Sequence, residues 1–149
     1  MTPQQKKNTK KLVNFLENVV HPSKFDLRFW VKGDDPKGMA ARASEANSCK
    51  TSACVIGWFP HLFPTKLRWV RCITDEFFLA APGETHGEAN EGVVFSEVTG
   101  LSPDRIICPA NTKSGTLDEY GRKNYMRPTP KRVAAEIRAL AKEEHGFEW

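Results

Sequence analysis

Cys49 and Cys54 bracket a short polar turn, Lys50-Thr51-Ser52-Ala53, that runs directly into the apolar segment Val55 to Phe63. Thiols in this setting admit two kinds of chemistry. A Cys54 in the first turn of a helix would feel the positive end of the helix dipole and free backbone N–H groups, which favour thiolate and can hold an oxyanion. Such a nucleophile needs a base. His61 and His86 are the candidates, with Asp26, Asp75 or Glu88 to orient them. The second chemistry is zinc, which in structural sites takes four N or S donors at tetrahedral positions. Cys49, Cys54, His61 and Cys72 form the candidate set, with His86 or Cys108 as substitutes.

Packing competes with both. Free cysteine is among the most buried residue types and behaves as a small hydrophobe. No second close thiol pair follows the first, and no local signature ties a histidine to Cys54. Phosphate loops, nucleophile elbows and His-Glu-x-x-His motifs are absent from the sequence. The residues therefore lean away from an enzyme and from any cofactor, with zinc the named alternative.

The elements that must carry these residues read as mainly helical. Leu12, Phe15, Leu16 and Val19 recur at the spacing of one helical face and predict a helix from about Lys10 to Val20, preceded by a basic tail over residues 1–9. His21-Pro22-Ser23 ends it. Phe25, Leu27, Phe29 and Val31 alternate with polar neighbours and Trp30, the period of a half-buried extended segment. Residues 33–47 form a polar surface loop, with a short Ala-rich helix within it. Thr51 or Ser52 is placed to cap a central helix through Phe63, bent or stopped at Pro60.

Residues 67–79 have no clean period, so strand and helix both remain open. Thr85-His86-Gly87-Glu88 matches a capping box ahead of a helix through Val98 that Gly100 stops. Ser102-Pro103 starts a short helix, and residues 111–128 make a second polar surface loop. Thr129-Pro130 opens the last helix, which Gly146 ends, leaving Phe147 and Trp149 to fold back on the body. The fold class expected is a compact, single-domain helical bundle over residues 10–149, with a short extended segment or small hairpin.

The order of these pieces resembles a family of small uncharacterised phage and bacterial proteins. The residues that carry the likeness are Phe25, Asp26 and Trp30, then the core Cys49-x-Thr51-x-Ala53-Cys54-x-x-Gly57-Trp58, Phe63-Pro64, Gly100-Leu101-Ser102 and Thr129 to Ala134. Lys50 stands where the family usually has Gly, and Ile107-Cys108-Pro109 replaces a usual Leu-Phe-x-Pro. The resemblance implies a helical domain in a phage or mobile-element setting and no particular activity.

Charge and aromatics supply the remaining expectations. The net charge of +4 is concentrated in Lys6, Lys7, Lys10 and Lys11 and in Arg122, Lys123, Arg127, Lys131 and Arg132. Trp30 and Trp149 are the aromatics best suited to a surface role, and Lys10, Lys11, Arg122 and Lys123 the cations. No apolar run is long enough for a membrane span and Met1 to Lys11 holds no apolar h-region, so a cytoplasmic protein with free thiols is expected. The leading functional expectation is a protein-binding module of a phage or mobile element, acting in host takeover or anti-defence. A cysteine-dependent hydrolase or transferase, and nucleic-acid binding through the basic ends, are the alternatives.

Overall fold

A computed structural model describes residues 1–27, 30–46, 50–74, 77–84, 90–103, 106 and 129–149. Among them the chain forms five α-helices and two antiparallel two-stranded sheets. This is a mixed α/β fold and not the helical bundle that the apolar periodicity predicts.

Helix α1 spans Pro3–Asn18. It begins seven residues before the predicted start, so residues 3–9 are helical turns and not a tail. The cause is a capping box: the Gln5 N–H donates to Thr2 Oγ1 at 3.1 Å, and the Thr2 N–H donates to Gln5 Oε1 at 2.8 Å. Pro3 at the first helical position lacks the donor that would be orphaned there. The last helix, α5 (Pro130–His145), starts on the Thr129 cap as expected and ends at Gly146, whose φ of 59° is left-handed.

Between these two lies α4 (Glu91–Thr99), capped by Asn90 and closed by Gly100 at φ 73°. Its last-turn carbonyls have no acceptable partner within the helix. Side chains from the flanking helices satisfy them. Gln5 Nε2 donates to the Glu97 carbonyl at 3.2 Å, Asn8 Nδ2 to Val98 at 2.9 Å and Thr9 Oγ1 to Thr99 at 3.1 Å. His145 Nε2 lies 2.6 Å from the Gly100 carbonyl. Three helices are thereby tied at one end. The capping box sought at Thr85 to Glu88 lies outside the described residues.

The segment expected as a central helix is broken into short pieces. Ser52–Ala53 is strand β2, paired antiparallel with β1 (Val31–Lys32) in the register Val31↔Ala53 and Lys32↔Ser52. A 3-10 turn over Ile56–Trp58 and the four-residue helix α3 (Phe59–Leu62) follow. Pro60 removes a backbone donor, and Pro64 pushes Phe63 to φ −135° and ψ 64°, so no long helix can propagate. Apolar character on all sides is met by burial of every residue from Thr51 to Pro60.

In the stretch left open between strand and helix, β3 (Arg68–Arg71) pairs antiparallel with β4 (Phe77–Ala80), with Trp69 opposite Leu79 and Val70 opposite Phe78. Four-residue strands are too short to print a clear period of two. Within the loop expected over 33–47, Pro36–Ala41 forms helix α2, capped by Asp35 Oδ1, which accepts from the Gly38 N–H at 2.9 Å. Met39 of α2 is wholly buried.

The core joins all of these. Phe59 stacks with Phe95 at 6.0 Å and meets Phe63 edge-on at 4.9 Å, while Phe15 meets Trp58 edge-on at 5.0 Å. Trp58 has 0% exposure, and its Nε1 finds no acceptor among the described residues. Burial of so large a ring outweighs the desolvation of one N–H, about 1 to 3 kcal/mol. Lys24 is also fully buried, its Nζ donating to the Glu45 carbonyl. With the His21 N–H donating to Ala43 at 2.7 Å, it fastens the turn after α1 to the segment after α2.

Gly57 is the most closely approached of the described glycines. A Cβ there would collide with the Trp30 carbonyl oxygen and come within 2.9 Å of Ala53 Cβ, and the Gly57 carbonyl accepts from Trp69 Nε1 at 2.9 Å. Backbone cannot yield as a flexible side chain can. We expect Gly57→Ala to cost roughly 3 kcal/mol in denaturant unfolding. Gly83→Ala, at φ 88° with nothing within 4 Å, should cost only about 1 to 2 kcal/mol.

Candidate binding surface

Cys54 follows β2 and has 0% exposure within the apolar core. A nucleophile must be reached by its substrate, so this thiol serves packing. His61 projects from α3 with its ring 5.6 Å from Phe15 and 6.2 Å from Trp58. Partial burial, and secondarily the Lys11 ammonium, hold its pKa below the ordinary 6.5. Cys72 lies half-buried after β3, its Sγ 2.9 Å from Thr74 Oγ1. Among the described residues no three His, Cys, Asp or Glu side chains gather as metal ligands. Cys49, His86, Cys108, Arg122 and Lys123 lie outside the described residues.

The residues considered for binding separate in the same way. Trp30 is half-buried against the core. Lys11 is committed to the fold: its Nζ donates to the Leu62 carbonyl at 2.6 Å and lies 5.3 Å from the Phe63 ring centre. It thereby satisfies a last-turn carbonyl of α3. Lys10 and Trp149 instead come together on one surface, where α1 packs along α5.

Phe147 is the centre of that surface. Gly146 turns the chain back, and the Phe147 N–H donates to Ala141 at 3.2 Å, which seats the ring at 8% exposure. Lys6 and Lys10, one helical turn apart on α1, place their ammonium groups 5.6 and 5.5 Å from its ring centre. Trp149 meets Phe147 edge-on at 4.8 Å and keeps 39% exposure. The Arg138 guanidinium lies over the Trp149 ring at 4.5 Å.

Glu17 fixes that guanidinium. Its carboxylate accepts from Arg138 Nε at 2.9 Å and Nη2 at 2.7 Å, a bidentate pair between α1 and α5. The hydrogen bonds lower the Glu17 pKa and raise that of Arg138. Both side chains are about a quarter to a third exposed, so the pair contributes at most about 1 kcal/mol to stability. Its larger effect is geometric, since a forked pair sets the plane on which Trp149 rests. Lys6 and Lys10 have no carboxylate partner among the described residues, and they give the surface its positive charge.

Sequence reasoning named Lys10, Trp149 and the fold-back of Phe147. It missed Arg138 and Glu17, which are 121 residues apart and carry no local signal. The i, i+4 spacing of Lys6 and Lys10 was the one available cue to a shared face. Compared with family models, with curated proteins and with solved structures, the chain matches none. No helix among the described residues is long and apolar enough to cross a membrane.

Two measurements check this assignment. Peptide mapping after alkylation of the native protein should find Cys54 unlabelled until denaturant is added, with Cys72 labelled first of the two. For His61, a lowered folded pKa means the unfolded chain binds the proton more tightly. The stability from its neutral ring is complete above 6.5 and is lost as pH falls through the depressed value. NMR titration should place His61 below a free imidazole, Lys11→Met should raise it part of the way back, and His61→Gln should flatten the stability profile across that interval.

Proposed function

We propose that this chain is a macromolecule-binding module that recognises an acidic protein surface through Trp149 and the cations around it. The observation that carries this reading is the half-exposed Trp149 held between Phe147 and Arg138 beside two lysines that have no carboxylate partner among the described residues. Trp and Arg are the residues most enriched where binding energy concentrates, and a ring already fixed in place loses little freedom on association. Lys6 and Lys10 add steering toward negative charge. The burial of Cys54 leaves the cysteine-dependent alternative without support of this kind.

Charge number favours protein over nucleic acid. Among the described residues of this surface Arg138 is engaged by Glu17, which leaves Lys6 and Lys10 for phosphates, and two contacts correspond to a slope of log K on log salt of only about −2. One or two carboxylates on a protein partner match that count better than a polyanion does. The setting we propose, host takeover or anti-defence by a phage or mobile element, rests on the resemblance carried by Cys49 to Trp58 and Thr129 to Ala134.

A photocrosslinking residue at position 149, irradiated in bacterial extract, should give one predominant protein adduct that the Lys6→Glu, Lys10→Glu variant does not form. With the captured partner purified, Trp149→Ala should weaken binding by about 2 kcal/mol, roughly thirtyfold, with unfolding unchanged. Adducts to nucleic acid, or a partner bound equally by Trp149→Ala, would refute the assignment.

A further inference from the structure

The side chains that give the α1–α5 surface its character are hydrogen-bond donors. Ammonium, guanidinium and indole N–H groups donate and accept nothing, and Lys6, Lys10, Arg138 and Trp149 are all of this kind. Lys6 and Lys10 are exposed, and Trp149 keeps 39% exposure. Of the carboxylates nearby, Glu17 has both oxygens on Arg138, and Glu148 stands exposed between the two ring-bearing residues of the tail.

What docks on such a surface must bring acceptors and keep its own N–H groups satisfied. An extended segment meets only the first condition, because a run of main-chain N–H groups would face ammonium and indole donors. The tail over residues 147–149 gives it no ladder, since the Phe147 N–H is already on the Ala141 carbonyl. The Glu148 carboxylate is a single acceptor and cannot serve a run of N–H groups. An α-helix satisfies its N–H groups internally and presents side chains along its flank.

The dimensions agree. Lys6 and Lys10 are one helical turn apart, about 6 Å along the axis of α1, and their ammonium groups lie 5.6 and 5.5 Å from the centre of one ring, that of Phe147. The Trp149 ring stands 4.8 Å from the Phe147 ring, with Arg138 over it on Glu17. From Lys6 to Glu17 the surface runs about 16 Å, three turns of helix. Carboxylates at i and i+4 of a second helix repeat at the spacing of the two lysines.

We infer, resting on the acidic recognition proposed above, that the segment recognised is an α-helix laid along the α1–α5 seam, with two carboxylates one turn apart on Lys6 and Lys10 and an apolar residue one further turn along against Trp149. Charge sets its register on the lysines, and the indole supplies the apolar contact.

An end-blocked peptide of about fifteen residues, held helical by a hydrocarbon staple on its far face and carrying Leu, Glu and Glu on successive turns of the other, tests this on the full chain. It should shift the Trp149 indole and α1 amide resonances and bind about tenfold more tightly than an unstapled peptide with the same three side chains and Pro at its centre. Lys6→Glu with Lys10→Glu, and separately Trp149→Ala, should each remove most of that affinity. Equal or tighter binding of the Pro-containing peptide overturns the helix and leaves acidic recognition standing. A stapled peptide with Gln in place of Glu that binds as tightly overturns both. If no peptide shifts these resonances at about 1 mM, the helix is refuted, and the adduct formed at position 149 decides acidic recognition independently.

Discussion

The close approach of Trp30 to Gly57 organises the half of the molecule that has no long helix. The Trp30 carbonyl presses on Gly57 where any side chain would stand, and the Gly57 carbonyl takes the indole proton of Trp69. Three segments distant in sequence are locked by one residue with no side chain. Strand β1 follows Trp30 directly, β2 lies shortly before Gly57, and Trp69 belongs to β3, so this contact lies beside strands of both sheets. Trp58, next in the chain, is then directed into the core against Phe15 of α1. The motif Cys54-x-x-Gly57-Trp58 is thus a structural device, in which each named residue solves a packing problem.

The helical half is held by a different means. Helix α4 ends with unpaired carbonyls, and α1 and α5 supply Gln5, Asn8, Thr9 and His145 to meet them. Leaving such groups buried and unmet costs more than the net worth of an ordinary hydrogen bond. The polar face of α1 is therefore specified as closely as its apolar face. This also fixes where the proposed binding surface falls. With α1 and α5 tied at the end of α4, the turn at Gly146 carries Phe147 beneath Lys6 and Lys10, and Glu17 meets Arg138 farther along the same pair of helices.

Local signals were legible wherever the chain itself supplies both partners of an interaction. Thr129-Pro130, Gly100 and Gly146 mark helix ends through contacts made within a few residues, and each stands where the sequence places it. The Thr2-Pro3-x-x box is equally local, but the lysines that follow it suggested a solvated tail, and the stabilising contacts to α4 are some 90 residues away. The segment from Thr51 to Phe63 misled for the opposite reason. Its uniform apolar character reports burial faithfully and says nothing about backbone shape, which Pro60, Pro64 and the space at Gly57 decide. Buried Lys24 left no trace, because its acceptor is a main-chain carbonyl that no residue type announces.

The same division explains why the residues most suggestive of chemistry and the residues best placed for recognition are different sets. Thiol, indole and imidazole groups near the start of an apolar run look reactive when read alone. In a chain whose interior is built around a close backbone contact, that run has to be the most buried part, and a cysteine there is chosen for size. Reactive groups gain function only at a boundary between core and water. Here that boundary includes the α1–α5 seam, where cations lie beside aromatic rings. The recognition we propose accordingly falls on elements that the core anchors, while the core motif is taken up with packing.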